Sequence, residues 1–256
     1  MIVILSPAKK LDFETEINKE ITFTIPAYLN DSQELINVLK KKSSKEIGAL
    51  MKLSQTLSEL NFERYQKWFK KHTLKNARQN VLSFNGAAYA GLNAPSLSLE
   101  DLEYSQNHLR ILSGLYGILK PLDLLQAYRL EMGTRLQTGK GTNLYQFWGD
   151  KLSKALTKEL KADDNILVNL ASNEYSKVLD LKKMKARIIT CHFKDMSKSG
   201  EYKTIMTYAK TARGLMTRYI IKNKITKPED LIAFDYKGYF YSKANSTENE
   251  FTFLRG

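Results

Sequence analysis

The chain opens on Ile2-Val3-Ile4-Leu5, four apolar residues without alternation, the pattern of a strand buried on both faces. The run passes straight into Ser6-Pro7-Ala8-Lys9-Lys10, a loop that carries two ammonium groups. In open α/β sheets ligand crevices lie outside such strand ends. From residue 31 to about residue 78 the period turns helical: Leu35, Val38 and Leu39, then Leu50, Leu53, Leu57 and Leu60 recur at helix spacing. Further strands are predicted at 81–84, 111–113, 166–170, 187–193 and 203–208. Helical stretches at 100–110, 150–160 and 210–224 separate several of them, and 238–241 with 250–253 reads as a late antiparallel pair. Strands alternating with helices predict the α/β class: a mixed sheet with surrounding helices. No linker or repeat interrupts the pattern, so residues 1–256 form a single compact domain, with a helical insertion over 31–80.

Several segments carry candidate chemistry. Ser113-Gly114-Leu115-Tyr116-Gly117 follows an apolar run directly, and its two glycines let the backbone come close to another chain segment or to a ligand. Tyr128-Arg129-Leu130-Glu131-Met132-Gly133 sets a cation and an anion two residues apart, on one face if the segment is a strand. Arg129 and Glu131 then form either a buried ion pair or a substrate-facing one. At Asn169-Leu170-Ala171-Ser172-Asn173-Glu174-Tyr175 a strand runs into a helix with Ser172 as its N-cap. Glu174 suits the first helical turn for structural reasons alone. At the strand rim, facing Lys9 and Arg129, it would instead be a general base or a substrate ligand.

The helix at 210–224 should bury Ala212, Leu215, Met216 and Tyr219, with Lys210, Arg213, Gly214, Thr217 and Arg218 gathered on the other side. Gly214 costs about 1 kcal/mol against alanine in a helix interior. A close approach by a phosphate backbone, a bound anion or a neighbouring helix would explain it. Residues 64–72 interleave cations with Tyr65, Trp68 and Phe69, which suits an amphipathic helix with its aromatics inward and its lysines free to meet phosphate.

Charge is the compositional outlier. Forty Lys and Arg against 27 Asp and Glu give a net +13, a balance that favours polyanionic partners or marks a lysine-rich solubilising surface. No apolar run is long enough to span a bilayer, so no membrane is expected. The N-terminus lacks the basic start and long apolar stretch of a signal peptide, and a lone Cys191 allows no internal disulfide; a cytoplasmic monomer is expected. His72, His108 and His192 are dispersed, and Cys191 and His192 would point to opposite faces of a strand. Paired Cys or His spacings, the dinucleotide and Walker glycine loops and the Gly-x-Ser-x-Gly elbow are all absent, so neither a metal nor a cofactor is expected.

Seven ordered motifs resemble the YaaA family of bacterial peroxide stress resistance proteins. They are Ser6-Pro7-Ala8-Lys9, Phe84-Asn85-Gly86, the segments 108–123 and 128–133, Phe147-Trp148-Gly149-Asp150, residues 169–175 and Ala212-Arg213-Gly214-Leu215-Met216. The resemblance implies protection against hydrogen peroxide by limiting unincorporated iron and the DNA damage it drives. It also implies an unusual single-domain fold with a helix–hairpin–helix element and a positively charged, DNA-binding cleft. Carried onto this chain, the cleft residues are Lys9, Lys10, Arg129, Arg135, Lys210, Arg213 and Arg218. The hairpin would fall within 42–60, where the missing glycines leave a plain helical hairpin as the direct reading of the residues. DNA binding of this kind would be largely sequence-independent and salt-sensitive. The alternative is an enzyme acting on nucleic-acid bases or nucleotides, with Glu131 or Glu174 as acid or base and Lys9 or Arg129 on phosphate.

Overall fold

A computed structural model describes all residues, 1–256. Eight strands form the main sheet: β1 (Ile2–Leu5), β2 (Leu109–Ser113), β3 (Gly117–Leu119), β4 (Ile166–Asn169), β5 (Arg187–Met196), β6 (Tyr202–Lys203), β7 (Phe240–Tyr241) and β8 (Glu250–Arg255). They lie in the order β7-β8-β5-β4-β1-β2-β3, with β6 paired to β5. The mixed character is ordered. β2, β1, β4, β5 and β8 are mutually parallel, while β3, β6 and β7 are short antiparallel additions. Numbered along the chain, the five parallel strands run 2-1-3-4-5 across the sheet. Their order reverses between β1 and β4, and a crevice opens beyond the carboxyl ends of strands at such a reversal.

Register assigns the two faces. Ile4 pairs with Arg110 and with Asn169, and Asn169 with Thr190, so these four side chains share one face. Cys191 and Phe193 therefore point to the other. The helix Lys151–Ala162 covers the first face through Leu152, Leu156 and Leu160, and its Glu159 accepts from the Arg110 Nε at 2.7 Å. The helix Met206–Lys222 covers the second, where Arg213 stands beside Cys191.

The insertion consists of helices Leu29–Lys40, Ser44–Met51 and Gln55–Lys67. Ser43 and Glu46 close a capping box on the second, and Ser54 caps the third. The turn Lys52-Leu53-Ser54 between them puts Lys52 in the left-handed region at φ 54°. Sixty buried apolar residues, drawn from Met1 to Phe253 and including Leu35, Ile47, Tyr65 and Trp68, form one contiguous cluster. The insertion thus shares the core rather than making its own. Tyr116 links the two: its buried hydroxyl accepts from the Trp68 indole N–H and the Gln126 N–H, and it meets His72 Nε2, each at 3.0 Å.

Four local expectations change. Residues 81–84 are not a strand: Asn80–Ser83 is a helical turn, because Asn80 ties its backbone and amide to the carbonyls of Lys120 and Asp123. Residues 203–208 give only the two-residue β6 before the helix starts at Met206, where the Ile205 carbonyl accepts the Ala209 N–H. Residues 128–133 have no regular structure. Phe69, expected inward, is 65% exposed, since the helix ends at Lys67 before it.

Candidate functional site

The crevice at the β1–β4 reversal is built by two loops. Ser6, directly after β1, accepts the Ser172 N–H at 2.9 Å, and its hydroxyl donates to the Ser172 hydroxyl at 3.3 Å. Ser172 holds the N-cap position of the short helix Asn173–Ser176, but its side chain makes no capping bond. The Tyr89 hydroxyl donates to the Ser6 carbonyl at 3.1 Å and fixes the loop from the opposite side.

The second wall is residues 128–131, and the Ser113–Gly117 turn seats it. A side chain at Gly114 would meet the Leu130 carbonyl oxygen at 2.2 Å, so glycine there admits a chain segment, not a ligand. Tyr128 shares a 2.6 Å hydrogen bond with Ser113, and the Tyr65 hydroxyl donates to the Arg129 carbonyl. Although 128–133 is not a strand, the tight seating brings Arg129 and Glu131 together. Glu131 Oε1 lies 3.1 Å from Arg129 Nε and 3.2 Å from Lys9 Nζ, with side chains 13%, 17% and 65% exposed. Burial raises the phenol pKa values of Tyr89, Tyr128 and Tyr175, so the walls are neutral hydrogen-bonding groups at physiological pH.

Glu174 plays a different part. It is exposed, and its Oε1 accepts the Gly133 N–H at 3.1 Å. Lys9 and Arg129, the cations it was expected to face, both engage Glu131 instead. The slot between Pro7, Lys9, Tyr128, Glu131 and Tyr175 measures about 10 Å³, room for about one water molecule. A nucleotide does not fit a slot of this size.

The remaining predicted cations are spread alongside. The helix Met206–Lys222 packs on the short helix Ala87–Leu92, which carries Tyr89. A side chain at Gly214 would fall 1.7 Å from the Ala88 carbonyl oxygen, so this glycine serves the packing of two helices. The face expected to be open is consequently half closed: Gly214 and Thr217 are buried and Arg213 is partly buried. Arg218 donates to the carbonyls of Leu92 and Asn93 at 3.0 and 3.1 Å and caps that short helix. Arg213 stands apart. Its Nε is buried without an acceptor, its guanidinium has no carboxylate within salt-bridge distance, and burial lowers its pKa. Lys210, one turn away, is exposed, as are Lys10 and Arg135.

Sequence reasoning missed Tyr89, the Ser6–Ser172 bond and the buried Asp31, which accepts from Lys151 at 2.5 Å and lies 3.5 Å from Lys140. Only a tyrosine three residues after Phe84-Asn85-Gly86 hinted at the first; nothing local signals the others. No three His, Cys, Asp or Glu side chains converge as metal ligands, and no helix is long and apolar enough to cross a membrane.

Fold and site together define an α/β protein with a polar, nearly closed crevice at the reversal of a parallel sheet and unpaired cations beside it. The chain belongs to the peroxide stress protein YaaA family, whose pattern matches residues 1–245. That membership ties it to peroxide stress. It is 52% identical over 256 residues to a UPF0246 protein of Colwellia psychrerythraea, covering all of this chain and 99% of that one. To UPF0246 proteins of Pseudoalteromonas translucida and Ralstonia pickettii it is 51% identical, again over its whole length and 98% and 99% of theirs.

Proposed function

We propose that this protein binds DNA through the basic rim formed by Lys9, Lys10, Arg129, Arg135, Lys210 and Arg213, and so limits the iron-driven damage that DNA suffers under peroxide. The observation that carries the reading is Arg213. A partly buried guanidinium with no carboxylate partner is costly, and a phosphate meeting the part of Arg213 that stays exposed would give its charge a counterion. The net charge of +13 supplies the long-range attraction. The helical hairpin supports a second contact, of the helix–hairpin–helix kind. At its turn Lys52, Ser54, Gln55 and Thr56 are exposed, and the first N–H groups of a helix have no intrahelical acceptor.

Fluorescence anisotropy with a labelled duplex across a salt series tests this. Binding should weaken steeply with salt, by a log–log slope of about −0.9 per phosphate contacted. Arg213→Ala and Lys210→Ala should each weaken it and flatten that slope. Salt-independent binding, or none at low salt, sinks the reading.

A second reading has one specific observation in its favour: Glu131 is held between Lys9 and Arg129 at the crevice, and a carboxylate so positioned supports an acid or base role on a base or nucleotide. Glu131→Gln separates the two. A binder keeps or tightens its affinity because a negative charge is lost, whereas an enzyme binds and loses turnover of nucleotide substrates.

A further inference from the structure

A second cavity lies away from the crevice. It is an open groove of about 520 Å³ between the helix Lys151–Ala162 and the segment 180–184. Its floor is built: the Ser153 hydroxyl accepts the Asp180 N–H at 2.9 Å, beside the buried Met184. Four lysines line it, Lys154, Lys158 and Lys161 on the helix and Lys183 opposite. The two acids present are each taken by a neighbour, Asp150 by Lys154 at 2.5 Å and Asp180 by Lys183 at 2.7 Å. Lys158 and Lys161 have no acidic partner. Along the helix, Lys154 to Lys161 spans about 10 Å, the axial length of about three phosphates on one DNA strand.

The sheet decides what this groove can reach. Its helix covers the face of Arg110 and Asn169, whereas Arg213 stands on the face of Cys191. Helix layers on the two sides of a sheet are roughly 20 Å apart, so one straight duplex cannot follow both. We propose that the lysine groove is a second track for a nucleic-acid phosphate backbone, and that one molecule holds two DNA segments, one on each side of the sheet. The proposal rests on the DNA reading above.

The test immobilises one duplex on beads, loads the protein and adds a second, fluorescent duplex. Wild-type protein should retain the second duplex. Lys158→Gln/Lys161→Gln should still load on the first within about twofold yet retain at least about fivefold less of the second. Lys75→Gln/Lys243→Gln, which removes the same charge from exposed sites elsewhere, should behave as wild type. Loading without retention by the wild type overturns the proposal. So does retention that survives Lys158→Gln/Lys161→Gln, as pairing of two protein copies would give. Failure of the underlying reading looks different: wild-type protein does not load on the first duplex even at low salt, and both proposals fall.

Discussion

At the scale of single residues, space and burial decide what a side chain can do. Gly214→Ala would drive a methyl group into the Ala88 carbonyl. Overpacking of this kind should cost about 2 kcal/mol or more in urea denaturation. Gly139→Ala, with nothing within 4 Å, should stay within about 0.5 kcal/mol of wild type. Cys191 is 3% exposed, and burial pushes its thiol pKa up to about 12. Only the thiolate reacts readily, so this cysteine is shielded from peroxide despite the family's role. A thiol reagent such as DTNB should label no cysteine in the native protein and one in urea; fast native labelling would contradict the packing around β5. Gly214 also marks how far residue-level reading reaches. Its helix cost was legible, but whether a helix or an anion filled the space depended on a chain segment more than a hundred residues away.

Among elements, the C-terminus of the helix Met206–Lys222 is tied down by one carboxylate. Burial raises the Asp101 pKa, but Lys222 and Lys224, each at 2.8 Å, together with the Ser98 donors outweigh it and hold the carboxyl well below its ordinary range. Its folded pKa is thus lower than its unfolded value of about 4. The stabilisation is complete above that value and disappears as the pH falls towards the folded one. Asp101→Asn should lower stability at neutral pH and remove part of the acid sensitivity between about pH 5 and pH 2, read from urea midpoints across that range. Elements with a strong period were legible: 100–110 and 150–160 became Leu99–His108 and Lys151–Ala162. Short ones were not. Val81-Leu82 and Lys203-Thr204-Ile205 have strand-like residues, yet a tertiary bond from Asn80 and a helix start at Met206 override that preference.

Over the whole molecule, one core predicts one transition. Trp68 belongs to the insertion and Trp148 packs against β3 at Gly117, yet both are buried in the same cluster. Tryptophan fluorescence and far-UV circular dichroism should report coincident urea midpoints. An earlier fluorescence change would mean that the insertion unfolds by itself. The charge acts at this scale too, because the sheet divides the cations between two faces.

The sequence by itself determined the class of the fold, the strands β1, β2, β4 and β5, the family and the excess of positive charge. Each of these is written in local period, in ordered motifs or in a simple sum. Only the tertiary structure decided that Lys9 and Arg129 meet Glu131 rather than Glu174, that Arg218 caps a helix while Arg213 stays without a partner, and that Lys158 and Lys161 lie across the sheet from Arg213. These are contacts between residues distant along the chain, set by sheet register and by which helix covers which face, and no local pattern records them.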